Sequence, residues 1–550
     1  MNNIKIERKE QFFVALTALL ALAITALPYL FAEKFAPESK VFMGIMLDVP
    51  DHAQYFSWMR DFQEQLLVEN KLTPEVNAPV FFNLLWWSLG QLNSLFQFGY
   101  SGAIQILRIF GGLGFMAVSY YCASAYFTDP YKRKLSFLVI SFGSGLGWIW
   151  VIDKYLNGLA DIRFPFDVFI AEGNTFLGLL GYPHFLAAAL YVSVFWFFMQ
   201  AWKQKKLRFA VWGGLLGQFW GWQHAYDLWI IYAVMGAFFL LLWLRDNKFP
   251  FFLFKIILVV GFLSFPPGLY SFLLTALDPL WNRILAQFAN AGVFTPSPPH
   301  LLILMGIPLI LALLQVLVGR MYDLKGKSDL QLFVLGWFLI SFVLIYLPVD
   351  YQIHMLNGWQ IPVGILAVEF WVETMTLWLT NRLRVVNKKP FPRHQILMGV
   401  ILILLVVPTN LYLLAWRFID LQRFSYPYYL EKAEVDALKW LEQNSSGDDV
   451  VISSLTIGQY IPAWSGNKAF LAHWAQTVDY FEKEEFVRLF FQGNPLTPSQ
   501  KEYLNSFSVD YVFLGPVEKS MGNFNVSAIP ELQEVYRQGN VQIFQWREND

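Results

Sequence analysis

The stretch from Gln11 to Phe31 runs for 21 residues without a charge. That is the length a helix needs to cross the hydrocarbon core of a bilayer, and the chain repeats the pattern. Further apolar runs at 101–127, 135–152, 176–201, 207–224, 227–244, 251–272, 300–319, 330–348, 359–380 and 394–416 predict about eleven transmembrane helices. Only 15% of the residues are charged, against about 25% in soluble domains. A closed β-barrel is the other structure that satisfies its backbone in lipid. It would show short alternating segments, whereas these runs are continuous. The basic residues are scattered in short clusters with no dense tract, which argues against a nucleic-acid partner. Cys122 is the single cysteine, so an internal disulfide and a cysteine-based metal site are excluded.

Those short basic clusters fix an expected topology. "YKRK" (131–134), "KQKKLR" (203–208), "RDNK" (245–248), "GRMYDLKGK" (319–327) and "NRLRVVNKK" (381–389) all fall on one side, with Lys5, Arg8 and Lys9, only if the apolar stretch "VFFNLLWWSLGQLNSLF" (80–96) is not a span. About 20 Lys and Arg then lie inside against about 7 in the outer loops. The expected protein is multi-pass in the plasma membrane, with a cytoplasmic N-terminus. The stretch 80–96, with two tryptophans among its Asn and Gln residues, becomes an interfacial helix in a first outer loop spanning 32–100. The transmembrane module is 1–417, and 418–550 is expected to be an extracytoplasmic domain.

Composition shifts toward polar residues after about residue 425. "EKAEVDALKWLEQNSSGDD", "YFEKEEFVRLFF" and "PSQKEYLNSF" predict helices, "VVISS" and "VDYVFLG" predict strands, and "EVYRQGNVQIFQW" predicts a hairpin turning at Gly539. Strands alternating with helices indicate a soluble α/β domain. No glycine-rich phosphate loop opens any of these helices. The expected fold class is thus an α-helical polytopic membrane protein with a C-terminal α/β domain.

The charged residues of such a chain are informative because they are costly near a membrane. "MLDVPDHAQYFSWMRD" (46–61) carries Asp48 and Asp51 in the first outer loop. A three-residue spacing puts both on one face of a helix, and Pro50 can open one, placing Asp51 in its first turn. A carboxylate there can act as a general base, hold a divalent cation, or simply favour the helix start. The same outer side collects Arg163 in the second loop, His184 just inside the following helix, and His224 with Asp227 in the tight turn "GWQHAYD". It also holds Arg283 in "LDPLWNRILAQF" and His354 in "VDYQIHMLNGWQ". Arg108 lies near the start of a span. Glu369 and Glu373, four residues apart, share one helix face and offer a proton or ion site.

The order of these features resembles the GT-C superfamily of glycosyltransferases: an acidic outer loop after the first helix, an interfacial helix, a multi-span bundle and a soluble outer domain. "DHAQY" (51–55) is similar to the Asp-x-x-x-Tyr form of the superfamily's acidic signature. "GSGLGWIW" (143–150), "AEGNTFLGLLGYPHF" (171–185), "HMLNGWQIPVGILA" (354–367) and "IPAWSGNKAFLAHWAQT" (461–477) look like a bacterial multi-spanning branch, distant kin of protein O-mannosyltransferases and aminoarabinose transferases. No oligosaccharyltransferase-type "WWD" is present, which points away from asparagine glycosylation of proteins. The resemblance implies inverting transfer of a sugar from a polyprenyl-phosphate donor to a glycan, lipid or protein acceptor on the outer face, with magnesium or manganese as a possible cation. It implies Asp51 as base with Asp48 as second choice, and His184, His224, Arg283, Arg163 and His354 as contacts to the donor phosphate. Two other classes compete: a transporter or flippase of a lipid-linked sugar, and a non-catalytic envelope assembly protein.

Overall fold

The computed structural model describes residues 6–158, 166–287, 294–382, 392–493 and 496–547. The chain forms two compact units. One is made of Met1–Pro28, Ile104–Leu269 and Val293–Phe418; the other is made of Tyr29–Ala103, Tyr270–Gly292 and Ile419–Asp550.

Every expected span is helical. Seven helices among the described residues are long and apolar enough to cross a membrane: Arg8–Phe35, Gly99–Tyr126, Pro183–Gln204, Asp227–Asp246, Phe251–Leu277, Pro298–Leu317 and Gln360–Leu379. The expected spans 135–152 and 394–416 are the pairs Pro130–Phe142 with Gly147–Asn157 and His394–Val406 with Pro408–Leu421, each bent by 48°. The spans at 207–224 and 330–348 are the helices Leu207–Gln223 and Asp329–Leu344, with 17 and 16 residues. The count of full-length spans is therefore lower than eleven because two helices are short and two are broken.

The two breaks complete each other. Pro408 lacks an amide hydrogen and disfavours helix at Val407, which ends the first helix of its pair. The backbone groups freed there are met by the other break. Ser144 donates to the Val406 carbonyl from both its amide and its hydroxyl at 2.7 Å. The Thr409 hydroxyl donates to Gly145 O at 3.2 Å, and Asn410 Nδ2 to Phe142 O at 2.8 Å. Irregular backbone at membrane depth is tolerated when protein satisfies it in this way. Elsewhere Gly214, Gly217 and Gly221 let the 207–223 helix approach Leu263, Ser264 and Pro267 closely, since a Cβ on these glycines would come within 3.0 Å of those side chains. Small residues at a helix interface are the usual means of close approach in lipid.

Among the described residues, all the strands lie in the second unit. β1 (Lys40–Phe42) pairs antiparallel with β2 (Tyr429–Glu431), with Lys40 opposite Glu431. β3 (Val450–Ile452), β4 (Lys468–Ala469), β5 (Val509–Leu514), β6 (Leu532–Gln538) and β7 (Val541–Trp546) form a five-stranded sheet in the order β4-β3-β5-β7-β6. β3 is parallel to β4 and β5; β7 is antiparallel to β5 and β6. The expected tail helices appear as Lys432–Asn444, Tyr480–Phe491 and Pro498–Ser506. The β6–β7 hairpin turns at Gly539, whose φ is 55°. Within 80–96 the helix is Leu84–Phe96. Its thirteen residues rise about 20 Å, short of a span. It packs on the helix Val49–Asp61 so closely that a Cβ on Gly90 would lie 2.6 Å from the Met59 carbonyl.

Candidate functional site

The helix Val49–Asp61 begins as its sequence predicts, with Pro50 in the first two positions and Asp51 in the first turn. Asp48 differs from expectation. It is the N-cap residue, with left-handed backbone (φ 48°, ψ 62°), and does not lie on the helix face beside Asp51. A short polar side chain tolerates that conformation better than most. The Asp48 carbonyl receives the His52 amide at 3.2 Å and lies 2.9 Å from His52 Nδ1. One turn on, Tyr55 stacks on Trp86 with ring centroids 4.2 Å apart.

Asp51 Oδ1 lies 2.8 Å from Nε2 of His473, a residue in the tail of the same unit. His473 is fully buried, with 2% of its side chain exposed, whereas Asp51 is a quarter exposed. The imidazole's other nitrogen is spoken for: Nδ1 accepts the amides of Ala475 at 3.0 Å and Gln476 at 3.2 Å. A nitrogen that accepts carries a lone pair, so the neutral ring has its proton on Nε2 and donates it to Asp51. The loop that presents His473 is fixed from several sides. Thr477 Oγ1 receives the amides of Ala472 and His473 and donates to Leu72 O at 2.6 Å. Asn70 Nδ2 donates to Gln476 O at 3.0 Å, and Gln287 Nε2 donates to the carbonyls of Ala475 and Thr477, each at 3.0 Å.

The far end of the helix is tied to the same tail segment. Arg60 donates to the carbonyls of Ala463 and Trp464 and pairs with Glu442 at 2.8 Å. Lys71 pairs with Asp61 at 3.2 Å and donates to Gly466 O at 3.0 Å. Burial raises the Asp61 carboxyl to about 6, against the opposing pull of the Lys71 ammonium.

The other sequence-derived candidates divide between the units. In the helical unit, His184, His224 and His354 gather around Phe185, whose ring centroid is 4.2, 6.2 and 5.7 Å from theirs. His354 stacks on Tyr226 at 5.5 Å and binds Glu172 Oε1 at 2.6 Å; His224 lies 3.2 Å from Asp227. Asn357 bridges from Asp227 to the Tyr191 hydroxyl through its side chain and carbonyl. Two imidazoles whose carboxylate partners fix their orientation, beside flat aromatic faces, can hold a polar group or stack a ring. Arg283, in the second unit, pairs with Asp479 at 2.5 Å, both about half exposed. Arg163 lies outside the described residues.

Two further sequence features have settled partners. Arg108 is buried and donates to Leu22 O at 3.0 Å, Thr25 Oγ1 at 2.7 Å and Gln105 Oε1 at 2.8 Å, so it braces neighbouring helices. Glu369 accepts from the Tyr126 hydroxyl at 2.8 Å, and Glu373, in a π-helical turn, pairs with Lys132. These groups line a cavity of about 220 Å³ with Asp129, Ser328 and Gln331. Among the described residues no three His, Cys, Asp or Glu side chains are grouped to hold a metal ion.

Neither a family model nor a curated protein matches the chain. Solved structures do. The archaeal oligosaccharyltransferase AglB from Archaeoglobus fulgidus, in complex with an inhibitory peptide and a dolichol-phosphate, aligns over 92% of this chain and 70% of its own, with a TM-score of 0.60 at 12% identity. The arabinofuranosyltransferase AftD from Mycobacteria aligns over 99% of this chain and 40% of its own, with a TM-score of 0.57 at 11% identity. ArnT from Cupriavidus metallidurans, bound to undecaprenyl phosphate, aligns over 96% and 97%, with a TM-score of 0.50 at 10% identity. The chain has the GT-C fold. It does so at identities where only the backbone arrangement is shared, so the likeness speaks for architecture and leaves the chemistry to the residues. In this GT-C fold the residue that sequence reasoning passed over is His473. The segment 461–477 carries a family-like sequence, but a histidine 422 positions from Asp51 has no local pattern that ties the two together.

Proposed function

We propose that the protein is a membrane glycosyltransferase that moves a sugar from a polyprenyl-phosphate donor to an acceptor on the outer face, with inversion. The observation that carries this reading is Asp51: a part-exposed carboxylate in the first turn of the helix after the first span, in a chain with the GT-C fold. The dolichol-phosphate of the AglB structure and the undecaprenyl phosphate of the ArnT structure support a lipid phosphate as the leaving group here. Asp51 takes the proton of an acceptor hydroxyl as its oxygen attacks the anomeric carbon. The bond from that carbon to the phosphate oxygen breaks, and polyprenyl phosphate departs with the electron pair. A phosphate is a good leaving group, so cationic contacts can replace an acid. His184, His224, His354, Arg283 and Arg163 are the proposed contacts. The described residues do not group to hold a magnesium or manganese ion, and chelation with add-back tests whether turnover needs one.

The test uses the full-length protein in lipid, a radiolabelled undecaprenyl-phosphate hexose or pentose, and release of the sugar as readout. Asp51→Asn should lower turnover by about a hundredfold or more. Asp48→Asn should stay within about threefold, because an asparagine keeps the left-handed cap and its carbonyl. Retained turnover in Asp51→Asn would reject the assignment of the base.

A second reading, transport of a lipid-linked sugar, is favoured by one observation, the polar cavity around Glu369 and Glu373. Under that reading Glu369→Gln should abolish movement of the lipid across a bilayer, while Asp51→Asn should leave it intact.

A further inference from the structure

We infer that His473 is the positioning residue of the site: its Nε2–H holds the Asp51 carboxylate in one orientation. The inference rests on the reading of Asp51 as the base, and deepens it. Three observations lead to it. The imidazole is buried and its Nδ1 is committed to two backbone amides, so the ring cannot flip or exchange tautomers without breaking them. The remaining N–H addresses Asp51 Oδ1 at 2.8 Å. The backbone of the loop is anchored on residues 70–73 through Leu72 and Thr73, and on Gln287. A histidine needed only to close its own loop would use Nδ1 and leave Nε2 to solvent. Here the second nitrogen is spent on a helix brought from the other end of the chain.

The segment that carries His473 also grips the opposite end of the helix, through Arg60 on Ala463 and Trp464 and Lys71 on Gly466. The 49–61 helix is thereby set at both ends by residues 461–477. Among the described residues, the titratable groups on this helix and its cap are Asp48, Asp51, His52, Tyr55, Arg60 and Asp61, and the elements packed against it bring His473 to Asp51, Glu442 to Arg60 and Lys71 to Asp61. The packed helices Leu84–Phe96 and Ile461–Trp464 contribute none.

Two substitutions separate the two nitrogens. In His473→Asn the amide oxygen can still accept the Ala475 and Gln476 amides, closing the loop, while the donor to Asp51 is lost. In His473→Gln the longer side chain can still reach Asp51 with an N–H. With the radiolabelled undecaprenyl-phosphate sugar as probe, His473→Asn should lower kcat by about tenfold to a hundredfold, the range expected for a lost hydrogen bond to a charged group. The donor KM should change little, and the acidic limb of kcat against pH should move to higher pH, because the ionised carboxylate loses its donor. His473→Gln should recover part of kcat and the limb. Thermal unfolding of each variant checks that the loop survives. If His473→Asn keeps kcat and the acidic limb while Asp51→Asn is inactive, the positioning role is overturned and the base stands; if Asp51→Asn is active, the base itself fails. A readout independent of turnover is the nitrogen-15 spectrum of histidine-labelled protein, with His473 identified by its loss in the variant. A proton on Nε2, with a resonance that moves in Asp51→Asn, supports the inference, and a proton on Nδ1 or no response to Asp51→Asn overturns it.

Discussion

At the scale of single residues, what separates Asp48 from Asp51 is backbone conformation and partner. Both are acids three positions apart, and their spacing alone would put them on one helix face. The structure puts one at a left-handed cap, where its carbonyl serves the first turn, and the other under a buried imidazole donor. A different acid shows what burial does without such a role. Glu434 is fully buried in the tail, and desolvation raises it to about 7, although the Glu431 amide and the Tyr426 hydroxyl both donate to it and pull the other way. Glu518, buried nearby, is raised as well. The native state holds the Glu434 proton up to about pH 7, while an unfolded glutamate releases it near 4.5. The contribution is therefore fully present below about 4.5, falls as pH rises through that window, and is flat above it. Its size is about 3 kcal/mol. Glu434→Gln should raise the melting temperature at pH 8 by several degrees and flatten its dependence between about pH 5 and 7, followed by thermal unfolding across pH. A steeper dependence in the variant would contradict this account.

At the scale of elements, helices and hairpins were legible because their signals are local. The tail helices, the β3 and β5 strands and the turn at Gly539 all lie where periodicity and turn residues put them. β4 and the β1–β2 pair were not foreseen: strands of two and three residues carry no readable alternation, and they exist because distant partners supply the hydrogen bonds. The element that presents His473 depends on a close approach of the same kind. A Cβ at Gly458 would lie 1.9 Å from the Leu471 carbonyl, two residues before His473. Gly458→Ala should cost about 1–3 kcal/mol by overpacking and, by displacing the loop, should also slow turnover. Gly261→Ala, where a Cβ meets nothing within 4 Å, is the control and should be near neutral. Melting temperature and sugar release measured on both variants decide it.

At the scale of the whole molecule, the distribution of basic loops makes a prediction about orientation that an accessibility experiment can read. In a Cys122→Ala background, Lys439→Cys in the tail should react with an impermeant maleimide on intact cells. Tyr322→Cys, in a loop between spans, should react only after permeabilisation. Both positions are about 60% exposed, so a difference reports the side of the membrane and not burial; the reverse pattern would invert the proposed topology.

The sequence by itself determined the membrane class, the helical segments and the acidic first loop, because hydropathy over about twenty residues, cap chemistry and charge bias act along a contiguous stretch of chain. It did not determine which spans would be broken and mended by one another, as at Ser144 and Val406, nor which candidates would meet. His184, His224 and His354 were grouped by side and turned out to share one aromatic cluster, whereas Arg283 went to Asp479. Only the tertiary structure decided that Asp51 would have a donor and that the donor would be His473. A hydrogen bond between two side chains depends on ångström-scale placement of their backbones, and here that placement is set by the segment after the first long helix, the segment around Gln287 and the tail packing together.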